Sequence, residues 1–174
     1  GIEAVKSYTP EPGRQMIKDG LKLVMSGTED EGIKFIEDSR KEFQKLPPEE
    51  VSFPRSVSSV DKYRGANTIY AKGTPMQVRG SLLYNFYIKE RGLEKKYALI
   101  NNGEKIKFCY LKNPNPTREN VISFIQDFPK ELDLTRFVDY EMQFNKAFLD
   151  PLKVILDAIG WSVEKKVSLD SFFT

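Results

Sequence analysis

The 174-residue sequence contains no histidine and a single cysteine, Cys109. Without histidine, the chain cannot form a Ser-His-Asp triad, a Cys-His dyad or a histidine-containing zinc site. One cysteine allows no internal disulfide, which fits a reducing, intracellular setting. Cys109 lies in an apolar pattern, so we interpret it as a small buried hydrophobe and not as a nucleophile.

Other signatures of catalysis and of membrane insertion are also missing. No apolar run approaches the roughly 20 residues that a membrane span needs, so we expect no membrane partner. The sequence has no P-loop and no Gly-rich dinucleotide fingerprint. Its acidic groups, such as Glu29-Asp30-Glu31 and Glu37-Asp38, fall at helix starts and on solvated faces. We therefore predict no catalytic residue, no metal site and no cofactor in this chain.

The net charge of +2 hides an uneven distribution of charges. Residues 55–118 hold 13 Lys and Arg against 4 Asp and Glu, a local charge of +9. Residues 1–54 hold 8 against 11, and residues 119–174 hold 6 against 10. A basic stretch in a nearly neutral protein favours a polyanionic partner. A Lys-rich loop region that meets only water is the alternative, and charge by itself does not separate the two.

Apolar side chains at spacings of three and four residues predict helices along much of the chain. Gly27 should end the first helix, and Thr28 with Glu31 forms a capping box that opens the second. Pro47-Pro48 should end that helix, and Pro151 should kink or restart the last one. The predicted helices cover residues 13–26, 28–46, 76–90 and 134–149.

Short segments between the helices predict a small β component. Residues 97–100 and 105–111 have strand-like patterns, and Asn101-Asn102-Gly103 between them is a strong hairpin signal. Residues 51–53 are a further strand candidate, while the type of the apolar segment 120–126 stays open. The fold class expected is α+β, mainly helical.

The basic middle of the chain is rich in groups that contact phosphate oxygens. Serine hydroxyls, backbone N–H groups of Gly-containing loops and Lys or Arg side chains hold a duplex without reading its sequence. The density of such donors favours phosphate binding over a loop that contacts only solvent. The candidate DNA-binding residues are Ser58, Ser59, Lys62, Tyr63, Arg64, Lys72, Arg79, Asn85, Lys105 and Lys146.

The end of the sequence carries an apolar cluster. Leu169 is followed three and four residues later by Phe172 and Phe173, so one helical turn would place all three on one side. Exposed phenylalanines at a chain end are unfavourable unless they pack against something. The tail therefore either packs on its own domain or fills a hydrophobic pocket of a partner.

Several motifs occur in an order typical of one protein family. Leu169-x-x-Phe172-Phe173 resembles the sliding-clamp-binding peptide of replication proteins, with Lys166 where a glutamine is usual. Over nearly the whole chain, the order and approximate spacing of further motifs resemble the last segment of family B DNA polymerases of the T-even-phage type. These motifs are Ser56-Val57-Ser58-Ser59, Lys62-Tyr63, Val78-Arg79-Gly80, Leu83-Tyr84-Asn85, Gly103-Glu104-Lys105, Asp139-Tyr140 and Pro151-Leu152.

The resemblance implies a polymerase thumb with a helical base and a small β-hairpin tip. Residues 1–12 would be the end of the palm, residues 13–162 the thumb and residues 163–174 a clamp-binding tail. The implied partners are duplex primer–template DNA, a sliding clamp and the palm and exonuclease part of the polymerase. The palm would hold the catalytic Mg²⁺, and the setting would be the cytoplasm of the infected bacterial host.

Two other interpretations of the sequence remain. The chain could be a free-standing replication accessory module that binds duplex DNA and the clamp, or a globular domain with a basic loop and a self-packed tail. If it is a polymerase segment, Gly1 in place of a Met fits either an excised fragment or one product of a split gene. In each case we expect the chain alone to be inactive.

Overall fold

The computed structural model describes residues 9–158, which divide into two compact units. The first unit combines residues 9–51 with residues 140–158, and the second unit is residues 52–139. The predicted domain, residues 13–162, covers parts of both units, and its boundaries stay a prediction. The predicted tail lies outside the described residues.

Helices make up about half of the structure, and one small antiparallel sheet accompanies them, which confirms the α+β class. Among the described residues, no helix is both long enough and apolar enough to cross a bilayer. The helices are α1 (Glu11–Ser26), α2 (Glu29–Gln44), α3 (Pro48–Val51), α4 (Met76–Glu90), α5 (Tyr140–Phe144) and α6 (Asp150–Ala158), and the strands are β1 (Phe53–Ser56), β2 (Lys105–Tyr110) and β3 (Val121–Phe124).

The break between α1 and α2 follows the local sequence signals. The N–H of Gly27 donates to the Leu23 carbonyl at 2.5 Å and ends α1. The Thr28 hydroxyl accepts from the N–H of Glu31 at 3.3 Å and caps α2, as the capping box predicted. Helix α1 starts two residues before the predicted position because Pro12 is tolerated in its first turn.

An aromatic cluster forms the core of the first unit. Phe144 of α5 contacts Phe43 of α2 at 5.4 Å between ring centroids and Phe148 at 5.1 Å. Helix α1 approaches the backbone of Ala147, the residue before Phe148, closely at Gly13, where a β-carbon would stand 2.8 Å from the Ala147 carbonyl oxygen. Glycine is therefore required there for close packing.

The helix predicted over residues 134–149 is wrong in its first part. It begins at Tyr140, because the segment before it pairs with the end of β2: the N–H of Lys112 donates to the Phe137 carbonyl at 2.7 Å, and the N–H of Asp139 donates to the Tyr110 carbonyl at 2.9 Å. The expected irregularity near Pro151 takes the form of a π-helical turn over Asn145–Leu149, which ends two residues before the proline.

The second unit packs α4 against a sheet with the strand order β1-β2-β3. The helix approaches β3 closely at Gly80, where a β-carbon would meet the Ser123 hydroxyl and lie 2.9 Å from the Ser123 nitrogen. The Ser123 and Ser81 hydroxyls both donate to the Gln77 carbonyl, at 3.1 and 2.7 Å. Small residues on both elements thus allow the helix to lie directly on β3.

The hairpin predicted between residues 97–100 and 105–111 is also wrong. Strand β2 pairs instead with β1 and β3, while residues 97–100 are not a strand. The Asn85 side chain takes the place of a partner strand: its Nδ2 donates to the Ile100 carbonyl at 2.9 Å, and its Oδ1 accepts from the Ile100 N–H at 2.8 Å. The turn at 101–103 does form, with Gly103 at a φ of +85°.

Candidate nucleic-acid interface

The loop that follows β1, residues 57–64, is fixed against the turn before β2; we call it the interface loop. The Val57 N–H donates to the Glu104 carbonyl at 2.9 Å, and the Gly103 N–H donates to the Val57 carbonyl at 2.6 Å. These bonds extend the β1–β2 ladder by one residue. Because the last residue of β1 lies opposite Lys105, this lysine stands beside the interface loop.

A second attachment of the interface loop comes from one side chain of the turn. The Oδ1 of Asn102 accepts from the Val60 N–H at 2.5 Å, and its Nδ2 lies 3.4 Å from the Asp61 carboxylate. Sequence reasoning did not include Asn102 among the site residues. The Asn-Asn-Gly motif predicted the turn, but nothing in it indicated a contact with a residue 42 positions earlier.

The two serines of the interface loop are presented by buried neighbours. Val57 and Val60 are fully buried, and Ser58 and Ser59 between them are exposed. Ser59 adopts a φ of +61°, and its carbonyl accepts from the Lys62 N–H at 3.1 Å. Among the described residues, neither serine hydroxyl bonds to another group of the protein. The hydroxyls therefore project from a fixed backbone toward solvent.

Three cationic or aromatic side chains follow the serines. A short 3₁₀ turn, Asp61–Tyr63, carries Lys62, whose Nζ lies 5.4 Å from the centre of the Tyr63 ring. The Arg64 guanidinium is 3.1 Å from the Asp61 carboxylate, and both side chains are more than half exposed. An exposed ion pair of this kind is weak, so the arginine can be recruited by another anion.

Lys72 and Lys105 complete the set of exposed side chains around the interface loop. The Ala71 N–H donates to the Tyr63 carbonyl at 2.7 Å, which brings the adjoining Lys72 to the interface loop. Both lysines are exposed, and within residues 9–158 neither forms an ion pair. The structure thus gathers two hydroxyls, four cations and one tyrosine around a single loop.

Arg79, another predicted DNA-binding residue, contacts two side chains of the second unit. Its Nη2 donates to the Asn120 side chain at 2.6 Å, and its guanidinium lies 5.7 Å from the centre of the Tyr70 ring. The Tyr70 hydroxyl in turn donates to Glu119 at 2.8 Å, and this bond is the main reason that the pKa of Tyr70 is raised. Arg79 therefore links Tyr70, in the segment after the interface loop, to Asn120, the residue before β3. We leave it out of the proposed interface, and its contact with DNA stays a prediction.

Two other predicted residues belong to other segments of the chain. Asn85 is buried, and its amide is occupied by Ile100, so we assign it a structural role. Lys146 is exposed on the π-helical turn of the first unit. The predicted clamp-binding residues Leu169, Phe172 and Phe173 lie outside the described residues.

The exposed side chains around the interface loop suit the binding of phosphate groups. In the part of the chain that the structure describes, no group of three or more His, Cys, Asp or Glu side chains is placed to hold a metal ion. Hydroxyl groups and Lys or Arg side chains instead match the phosphate oxygens of a nucleic acid.

Comparison with known proteins agrees with the motifs. No family model matches the chain. The DNA-directed DNA polymerase of Enterobacteria phage T4 is 24% identical over 99% of the chain, and that of Escherichia phage RB69 is 27% identical over 99%. The chain spans about a fifth of the length of these two relatives, 19% in each case. The matches confirm the resemblance that the motifs predicted: over nearly its whole length, the chain is similar to a segment of the T4-type family B DNA polymerases.

Proposed function

We propose that this chain is the thumb portion of a DNA-directed DNA polymerase, and that its interface loop binds the primer–template duplex through backbone phosphates. One observation carries the proposal: the β1–β2 pairing attaches the loop with Ser58, Ser59 and Lys62 to the turn that leads into Lys105. The similarity to phage DNA polymerases supports duplex DNA as the polyanion.

The proposed binding is independent of DNA sequence. Base readout requires side chains such as Asn, Gln or Arg that reach base edges in bidentate geometry, whereas phosphate contacts fix position only. Asn85 and Asn102, two asparagines of this part of the chain, are both engaged within the fold. The exposed donors of the interface loop itself are hydroxyls, one lysine and one weakly paired arginine, which suit a protein that must hold every sequence it copies.

Catalysis is assigned to the rest of the polymerase in this proposal. Nucleotide transfer depends on carboxylates that hold two metal ions. We propose that the palm supplies them together with Mg²⁺, while this chain contributes binding to the duplex. The isolated chain should then incorporate no nucleotide, and measurable synthesis by the pure chain would contradict the assignment.

A second proposed contact involves the tail beyond the described residues. Leu169, Phe172 and Phe173 would fill a hydrophobic pocket of a sliding clamp, with Lys165 and Lys166 at an acidic rim. Aromatic anchors buried in pockets dominate most interfaces, so replacing both phenylalanines by alanine should weaken binding by about 2–4 kcal/mol. Peptides covering residues 163–174, in wild-type and doubly substituted form, can be compared on the cognate clamp by calorimetry. Equal affinities would remove the clamp from the proposal.

Duplex binding can be tested through its dependence on salt. If about four to six phosphates are neutralised, log affinity should fall against log salt with a slope of about −4 to −5. The Lys62→Ala variant should reduce the magnitude of that slope by about 0.9, since one counterion-releasing contact is lost. Fluorescence anisotropy of labelled duplexes of unrelated sequence measures both quantities.

Lys95→Ala is the matched control for charge. Lys95 is exposed and lies in the same basic stretch, but on the segment after α4 and not on the interface loop. It should leave the slope unchanged. Equal effects of the two substitutions would show that net charge alone governs binding, and affinity for one chosen sequence only would argue against a duplex-holding role.

A further inference from the structure

The interface loop contains a backbone conformation that needs support. Ser59 has a φ of +61°, which is uncommon for a residue with a side chain. Val60 follows in right-handed helical conformation, with φ −53° and ψ −44°. When one residue has a left-handed backbone conformation and the next a right-handed one, their N–H groups point into the same concavity. Such a concavity binds an anion or a partially negative oxygen.

An oxygen of the protein itself occupies this concavity. The Oδ1 of Asn102 accepts from the Val60 N–H at 2.5 Å, while its Nδ2 is directed at the Asp61 carboxylate 3.4 Å away. The Asn102 amide thus contacts the two residues that follow Ser59. No other side chain among the described residues donates to or accepts from the backbone of Val60.

We infer that Asn102 is a positioning residue for the phosphate contacts of Ser58 and Ser59. This inference rests on the proposed function. With its acceptor in place, the positive φ of Ser59 is held, and both hydroxyls face solvent beside Lys105. Without it, the Val60 N–H loses its partner and Ser59 is free to return to a negative φ, which redirects both hydroxyls.

The remainder of the loop does not depend on Asn102. The ladder bonds of Val57 with Glu104 and Gly103 use backbone atoms only. The buried side chains of Val57 and Val60 also persist when the amide is removed. The Asn102→Ala variant should therefore keep its fold and its cations while losing the orientation of the two serines.

A thermodynamic cycle tests this coupling on the complete chain with a labelled duplex. Asn102→Ala and the Ser58→Ala/Ser59→Ala pair should each weaken duplex binding by about fivefold, the size expected for one or two lost hydrogen bonds. The triple variant should bind no more weakly than the serine pair, because the hydroxyls that Asn102 positions are already absent. The salt slope should stay at the wild-type value in all three variants, since no cation is removed.

Asn101→Ala is the control in the same turn. Within residues 9–158 the Asn101 side chain bonds only to Glu104, at 3.3 Å, so its removal should leave affinity unchanged. Amide hydrogen exchange gives an independent readout: Asn102→Ala should remove protection at Val60 while the melting temperature changes little.

The outcomes separate this inference from the proposed function. One result would overturn the inference and leave the proposed function intact. In it, duplex binding weakens with salt and with Lys62→Ala, but the Asn102→Ala variant keeps full affinity. Additive losses in the triple variant, or global unfolding of Asn102→Ala, would also overturn it, since the residue would then act on the fold as a whole. If the wild-type chain shows no salt-dependent binding, the proposed function fails and the inference fails with it.

Discussion

Asn85 and Gly80 show how single residues of α4 set the architecture of the second unit. Asn85 supplies a donor and an acceptor to Ile100, so a segment without a strand partner keeps its backbone hydrogen bonds. Gly80 removes the side chain at the point where α4 lies on β3. The sequence placed both residues on a helix, but neither partner could be predicted, because a helical pattern does not specify contacts 15 or more positions away.

The close packing at Gly80 predicts a sensitive position. In a Gly80→Ala variant the new methyl group would overlap the Ser123 hydroxyl and press on the Ser123 nitrogen, 2.9 Å away. We expect the free energy of unfolding to fall by about 1–3 kcal/mol, the usual effect of overpacking. Urea denaturation followed by fluorescence measures this change.

Gly32→Ala provides the matched control. Gly32 also lies within a helix, α2, but a β-carbon there would have no neighbour within 4 Å. Because alanine favours helix more than glycine does, the free energy of unfolding of this variant should rise by up to about 1 kcal/mol. If both substitutions change stability equally, helix propensity and not close packing determines the effect at Gly80.

At the scale of elements, local sequence patterns predicted the secondary structure of a segment more accurately than its pairing partner. The apolar alternation of residues 105–111 identified a strand, and β2 occupies Lys105–Tyr110. Its partners were missed because β1 is distant in sequence and the type of the segment that forms β3 stayed open, while the nearest segment is held by α4. A turn signal fixes where the chain reverses, but side chains such as Asn85 decide whether a ladder forms.

Tyr84 connects α4 to the same segment and predicts an alkaline dependence of stability. Its hydroxyl donates to the Ala98 carbonyl at 2.8 Å, and burial, followed by nearby Tyr97 and Glu104, raises the pKa of Tyr84 to about 12. Its contribution is fully present below about pH 10, the pKa of an exposed tyrosine. Between about pH 10 and 12, only the unfolded chain loses the proton, so the free energy of unfolding should fall as pH rises.

The Tyr84→Phe variant isolates this effect. It should be less stable near neutral pH by about 1 kcal/mol, because one hydrogen bond is lost. Between about pH 10 and 12, its free energy of unfolding should fall less steeply with pH than that of the wild type. The two slopes should differ by at most about 1.4 kcal/mol per pH unit. Urea denaturation at a series of pH values gives both curves, and parallel curves would contradict the role of Tyr84.

At the scale of the whole molecule, the sequence predicted the class of the fold and its basic region, but not its division into units. The second unit, residues 52–139, is inserted between the two segments of the first. Periodicity shows that residues 140–158 are helical, but packing of Phe144 against Phe43 depends on tertiary structure. The basic stretch found by counting charges coincides with most of the second unit and contains the interface loop.

The second unit has another cationic surface, which competes with the interface loop as a candidate site for duplex DNA. Lys130 and Arg136 line an exposed cleft in residues 116–136 that does not involve the interface loop. Charge alone would allow duplex DNA to bind at either place. The hydroxyls of Ser58 and Ser59, together with the neighbouring lysines, lead us to assign the duplex to the interface loop.

An amide NMR titration of the chain with a short duplex of arbitrary sequence tests this claim most directly. The account predicts that the largest chemical-shift changes occur at residues 57–64, 71–73 and 103–105, that they are the same for unrelated duplexes, and that they diminish as salt is raised. Changes confined to the cleft around Lys130 and Arg136, with none in the interface loop, would contradict it.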